Sequence, residues 1–181
     1  MIKAAGIACL SLLPLFGACG GDDPNTTVGP GAALKCTSSG KNAFDTYGAT
    51  AFVAVHKKIF ELVGAELTDH AAGNLGDSFG KIGVEGRDDG PTFEGRLAAF
   101  LVFVYGGPDH ITYADGLDYD GLQNMADEHI GLNITSAQYD YFVTNIVVPA
   151  LTQSGVPAND VSSCFAGPVT DAAFKASIVG K

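Results

Sequence analysis

The stretch from Phe93 to Tyr105 limits what this chain can fold into more than any other. From Leu97 to Tyr105 every side chain is apolar or aromatic, and before that only Glu94 and Arg96 carry charge. A helix that is apolar nearly all round leaves no face for water, so it has to lie between other helices. Gly106-Gly107-Pro108 ends it, because glycine suits a left-handed C-cap and proline cannot continue the ladder. The rest of the chain must therefore supply amphipathic helices to cover it.

Those helices are legible on both sides. From Phe44 onward the spacing is helical, with Phe52, Val55, His56, Ile59, Phe60 and Val63 on one face. Gly64 weakens the pattern, and the Gly- and Asp-rich stretch from Gly73 to Pro91 reads as a loop carrying Phe79. Thr92 is the expected cap of the buried helix. Gly95 stands three positions on, so no capping box forms there. Asp109 to Gln123 is acidic, aromatic and loop-like. A short helix follows through His129 and ends near Gly131. Thr135 caps a long helix with Tyr139, Phe142, Val143, Ile146, Val147, Ala150 and Leu151 on its face. Gly155-Val156-Pro157 turns the chain, and Asn159 or Asp160 starts the last helix. Gly167-Pro168 is expected to kink or break that helix before it runs on to about Val179. No strand-like alternation persists and no internal repeat is visible. The predicted class is all-α.

Composition bounds the partners. Hydrophobic residues make up 46% and charged residues 17%, which suits a packed globule rather than a disordered chain. A formal net charge of -10 argues against a nucleic-acid partner, since nothing here neutralises phosphates. Residues 1–18 read as a signal peptide. Lys3 provides the positive end, Ala4 to Phe16 is an apolar run too short for a ~20-residue membrane span, and small residues precede Cys19. The pattern resembles a bacterial lipoprotein signal, with Phe16 where leucine is usual. It implies lipid attachment at Cys19 and a membrane-anchored location, on the periplasmic or outer-membrane face. An ordinary secretory peptide cut nearby is the alternative. Residues 19–41, opening on Gly20-Gly21-Asp22-Asp23-Pro24, read as a flexible tether, and 42–181 as the domain. Cys36 and Cys164 stand near its two ends. In an oxidising compartment they suit a disulfide, and two separate buried thiols are the alternative.

Three blocks in order carry a resemblance. The first is Phe100-Leu101 followed by Tyr105-Gly106-Gly107-Pro108. The second is Met125, His129 and Ile134-Thr135. The third is Tyr139 with Phe142, then Ala150-Leu151 and Gly155-Val156-Pro157. Together they resemble the group I truncated haemoglobins, over roughly Phe44 to Val179. The resemblance implies a two-over-two helical sandwich holding haem b, with His129 as the proximal iron ligand. The residue chemistry agrees. A neutral imidazole is a good axial ligand, and Met125, one turn earlier, shares its face. A histidine at a helix end is otherwise often just a capping residue.

The resemblance implies the remaining pocket residues as well. Phe93 and Leu97 fall on the distal helix, and Leu97 stands where many members carry glutamine. Arg96 takes a place from which a basic side chain reaches a haem propionate, though a solvated arginine fits there equally. On the earlier helix the family's Phe-Tyr pair corresponds to Phe60-Glu61 or to Ile59-Phe60, and neither register supplies the tyrosine. Phe79 is implied as the haem wedge, with Met125, Ile134 and Phe142 also against the macrocycle. Such a pocket offers bound oxygen little hydrogen bonding, so oxygen should bind weakly or leave fast. Of the other histidines, His56, His70 and His110 read as surface residues, with His70 or His110 the alternative sixth ligands. Asp115 to Gly121 is reminiscent of a calcium loop, but Leu117 or Leu122 falls where a ligand is required, so it reads as an acidic loop.

The function implied is reversible binding of a diatomic gas (oxygen, nitric oxide or carbon monoxide) outside the cytoplasm. Nitric oxide dioxygenase or peroxidase activity would need a reductase or polar distal groups, and the sequence contains no sign of either. One alternative is a haem-less globin-fold lipoprotein acting as a structural or interaction module. Another is an exported haem carrier.

Overall fold

The computed structural model describes residues 29–69, 73–87, 89–108, 111–112, 118–119 and 125–181. The signal peptide, Cys19, the first part of the tether, His70, His110 and most of the acidic loop, including all of its calcium-like stretch but 118–119, lie outside the described residues. Within them the fold is all-α. Among them, no helix is long and apolar enough to cross a membrane.

Helix α1 spans Ala43–Asp69 and is broken at Gly48, whose φ of 71° and ψ of 168° only glycine adopts cheaply. Its apolar face, Phe52, Val55, Ile59 and Val63, is buried as the spacing predicts. His56 lies on the same face and is 2% exposed, so it is not the surface residue expected. Helix α2, Gly76–Val84, stands inside the stretch expected to be loop. Its glycines give it poor intrinsic propensity, and it persists through the contacts of Ser78 and Phe79 with the rest of the molecule.

Helix α3, Gly90–Val104, is the buried helix, and the side chains of Leu101 to Val104 are all covered. Its N-cap is Asp89, not Thr92. The Asp89 carboxylate accepts the Thr92 amide at 2.8 Å, which holds its pKa below the usual carboxylate range. Pro91 fits inside the first turn, where its missing N–H has no partner to lose, so the helix starts before it. Two strands of two residues, β1 Ile111–Thr112 and β2 Asp118–Tyr119, pair antiparallel within the acidic region. They are too short to leave an alternating pattern.

Helix α4, Met125–Glu128, is one turn long. Helix α5, Ser136–Tyr141, opens with the expected Thr135 cap. Gln138, three positions on, completes a capping box of the Thr-x-x-Gln kind. A π-helical segment, Phe142–Val147, carries α5 into α6, Val148–Gln153. After the Gly155 turn come α7, Ala158–Asp160, a second π-helical segment, Val161–Phe165, and α8, Ala166–Thr170. The chain passes Pro168 while still helical and breaks at Asp171 instead. There the side chain caps α9, Ala172–Ala176, by accepting the Phe174 amide at 2.8 Å. The wider π turn ahead of Pro168 accommodates the missing donor.

α1 packs on α3 and on α6, and its core side chains meet those of the segment 146–151 and of Cys164 and Phe165. Residues from Gly29 on, inside the stretch 19–41 whose composition reads as tether, are packed against the domain. Pro30–Ala33 forms a 3-10 turn against α3, and a β-carbon on Gly31 would come within 2.5 Å of the Val104 carbonyl oxygen. Cys36 and Cys164 are joined in a disulfide with Cα atoms 4.8 Å apart. Beside it the carboxylate of Asp160, fully buried, accepts the Ser38 amide at 2.9 Å, the Ser38 hydroxyl, and the Tyr47 hydroxyl at 2.5 Å. These donors hold the Asp160 pKa below the usual range, and burial with the carboxylate neighbour pushes that of Tyr47 up to about 12.

Candidate functional site

At the other end of the molecule the helices leave a cavity of about 250 Å³. Every pocket residue named from the sequence lines it: Phe60 from α1, Phe79 from α2, Phe93, Arg96 and Leu97 from α3, Met125 and His129, Ile134, and Phe142. The α3 residues reach it because positions 93, 96, 97, 100 and 101 share one helical face. Of the two registers open for α1, Ile59 and Phe60 both line the cavity, whereas Glu61 is exposed and paired with Lys58. Arg96 is an exposed residue at the lining.

One wall is aromatic. Phe60 and Phe93 meet edge to face with centroids 5.4 Å apart, Phe79 stands 6.1 Å from Phe93, and Phe79 lies 6.1 Å from Phe142. Behind this wall His56 Nε2 and Glu94 Oε1 are 2.8 Å apart, joining α1 to α3, and the His56 ring meets Phe60 edge-on.

The facing wall carries His129, which is partly buried. Its Nδ1 lies 2.7 Å from the Met125 carbonyl oxygen. A carbonyl can only accept, so Nδ1 bears the proton and Nε2 keeps a bare lone pair. Among the described residues Nε2 has no hydrogen-bond partner. Burial lowers the pKa of the ring, against smaller opposing effects of the Met125 carbonyl and Glu128. The imidazole is therefore held neutral and in one tautomer, as a metal ligand is when a backbone carbonyl orients it.

The uncharged polar groups at the cavity are engaged with the backbone. Tyr139 donates its hydroxyl to the Val169 carbonyl at 2.7 Å, and burial with its acidic neighbours pushes its pKa up to about 12, so it stays a donor. Gln138 holds the Thr135 cap and donates to the Asn74 carbonyl at 2.9 Å. Ser78 Oγ reaches the Leu132 carbonyl at 3.5 Å. None of these leaves a donor facing the aromatic wall.

Several lining residues carry no local signal of a site. Phe174 and Ile178 close the back, with Phe174 stacked on Phe100 at 5.7 Å. Their four-residue spacing is visible in the sequence, but only the fold brings them to the cavity. Arg87, in the stretch read as loop, lies at the rim near the turn after His129.

Among the described residues no three His, Cys, Asp or Glu side chains converge to hold a metal ion. His129 therefore stands as a single imidazole at the lining of an apolar cavity, able to supply one ligand to a metal but not to enclose one. No family model, curated protein or solved structure matches the chain.

Proposed function

We propose that this chain is an exported, lipid-anchored haem protein of the truncated-globin type, which binds a diatomic gas. The observation that carries the reading is His129 at the lining of an apolar cavity, its ring fixed by the Met125 carbonyl and its Nε2 without a hydrogen-bond partner among the described residues. In this reading α1 and α3 form one layer and the segments 136–153 and 158–170 the other.

His129 would hold the iron of haem b, with Met125, Ile134 and Phe142 against one side of the ring, Phe60, Phe79, Phe93 and Leu97 against the rest, and Arg96 beside a propionate. Haem supplies an iron centre that binds small gases. The protein then has three tasks: to keep the imidazole neutral and aimed, to exclude water, and to leave one side apolar. Phe60, Phe93 and Leu97 present no donor to a bound ligand. Oxygen, which gains from a nearby hydrogen bond, is held weakly, and carbon monoxide is much less affected.

The test is a Soret band in the protein purified without its first eighteen residues, or after reconstitution with haemin. Absence of uptake by folded protein rejects the reading. Rapid transfer of haem to an apo-acceptor points to the carrier alternative.

A further inference from the structure

We propose that Lys81 and Arg87 are positioning residues for His129, acting through the backbone turn that follows it. The inference rests on His129 being the axial ligand, but its first test does not depend on that.

His129 follows a helix of only four residues. So short a helix satisfies few of its own carbonyls, and those that follow need outside partners. The segment 81–87 supplies the charged ones, beside neutral donors from Asn133 to the Gly131 carbonyl at 3.1 Å and from Ser78 to the Leu132 carbonyl at 3.5 Å. Lys81 Nζ, on α2, donates to the Gly131 carbonyl at 3.3 Å and to the Leu132 carbonyl at 3.1 Å. Arg87, just past α2, donates from Nη1 to the Ile130 carbonyl at 2.5 Å, and its Nε is held by Glu85 Oε2 at 2.7 Å. Three successive carbonyls are thus held by two cations, the favourable pairing at a helix C-terminus.

Gly131 shows how close the approach is. Its φ is 81°, and a β-carbon there would lie 2.8 Å from Arg87 Nη2. Position 131 therefore favours glycine for its backbone conformation, and any side chain there would push the Arg87 guanidinium off the turn.

With residues 130–132 pinned, the turn from Met125 to His129 cannot unwind, and the Nδ1–H bond to the Met125 carbonyl keeps its geometry. The same helix α2 carries Phe79 into the aromatic wall. One short helix therefore sets His129 relative to the opposite face of the cavity. Local sequence gives no sign of this, because the cations and the carbonyls they hold are more than forty residues apart.

The test begins with the full folded domain without haem, comparing wild type with a Lys81→Met, Arg87→Gln double variant. Nitrogen-15 NMR should show His129 passing from the single Nδ1–H tautomer to a mixture. Amide exchange at 129–133 should quicken about tenfold, as expected for losing charged hydrogen bonds, while exchange in α1 stays unchanged. In haem-loaded protein the iron–histidine stretching band should shift or broaden, a change that a merely structural role would not cause. Lys81→Arg keeps the cation and should match wild type throughout. Unchanged ring nitrogens and unchanged exchange in the double variant overturn the proposal, as does a Lys81→Arg protein that behaves like it. If the double variant does not fold, the two single variants, at partly exposed positions, are read in the same way. Failure to take up haem would reject the axial-ligand reading alone, since the NMR comparison still decides the clamp.

Discussion

The two ends of this molecule are built on opposite plans. At the end beside the disulfide, Asp160 is surrounded by donors, Tyr105 gives its hydroxyl to the Phe165 carbonyl at 2.9 Å, and the Tyr47, Phe52 and Tyr105 rings pack around Phe165. Nothing there is left open. At the other end the walls are apolar, the polar groups turn back onto the backbone, and one imidazole nitrogen is left bare. The contrast shows how a domain of this size keeps a large internal space. Covalent and polar constraints gather at the closed end, and they offset the packing lost at the open one.

The contrast can be broken from the open end first. Replacing His129 with alanine should abolish the Soret band while far-ultraviolet circular dichroism stays as in wild type. Retention of the band would move the ligand elsewhere.

The closed end should respond in stability rather than in binding. Cys36 and Cys164 are 128 residues apart in sequence. Serine at both should cost about 4–5 kcal/mol by loop-closure entropy, measured by urea unfolding. The spectrum of any bound haem in the folded fraction should not change. Equal effects on both would show that the ends are not independent.

A gentler change sharpens the account of the aromatic wall. Leu97→Gln adds a donor beside Phe60 and Phe93, which offer none, and one hydrogen bond of about 1.4 kcal/mol should slow oxygen dissociation about tenfold. Carbon monoxide release should change little. If both slow together, the side chain acts by blocking the exit rather than by bonding.

The smallest effect is in pH dependence. Donors depress the Asp160 pKa in the folded state, so its contribution is present above the ordinary carboxylate value and is lost as pH falls through the depressed one. Asp160→Asn should flatten the stability profile below about pH 4, where an unfolded carboxylate takes up its proton. His129 shifts in the same sense. Its lowered pKa favours the neutral ring, so stability declines as pH falls below the ordinary histidine value, and Asp160→Asn should leave that step in place.

Much of the site was legible because its signals are local. Met125 and His129 are one turn apart, and Thr135 can be read as a cap from its neighbours alone. Phe93, Arg96 and Leu97 lie on one face by spacing. The difficult part was everything between Gly73 and Pro91. Glycine-rich sequence favours loop, and the contacts that make α2 helical lie far along the chain. Arg87 was passed over for the same reason, since its partner is the carbonyl of Ile130. His56 looked like a surface histidine, although its own helical period already placed it with Phe52 and Ile59. Thr92 mimics the cap of α3, but Pro91 belongs in the first turn and Asp89 is the true cap.

By itself the sequence determined the all-helical class, the buried character of α3, and the spacing that sets Met125 and His129 on one face. All of these follow from interactions between residues a few positions apart. Only the tertiary structure decided that Cys36 meets Cys164, that α2 exists, and that Phe174 and Ile178 close the cavity. The same holds for the turn after His129, which is held by cations from a distant segment. Those outcomes depend on contacts whose partners are far apart in the chain, where no local period records them.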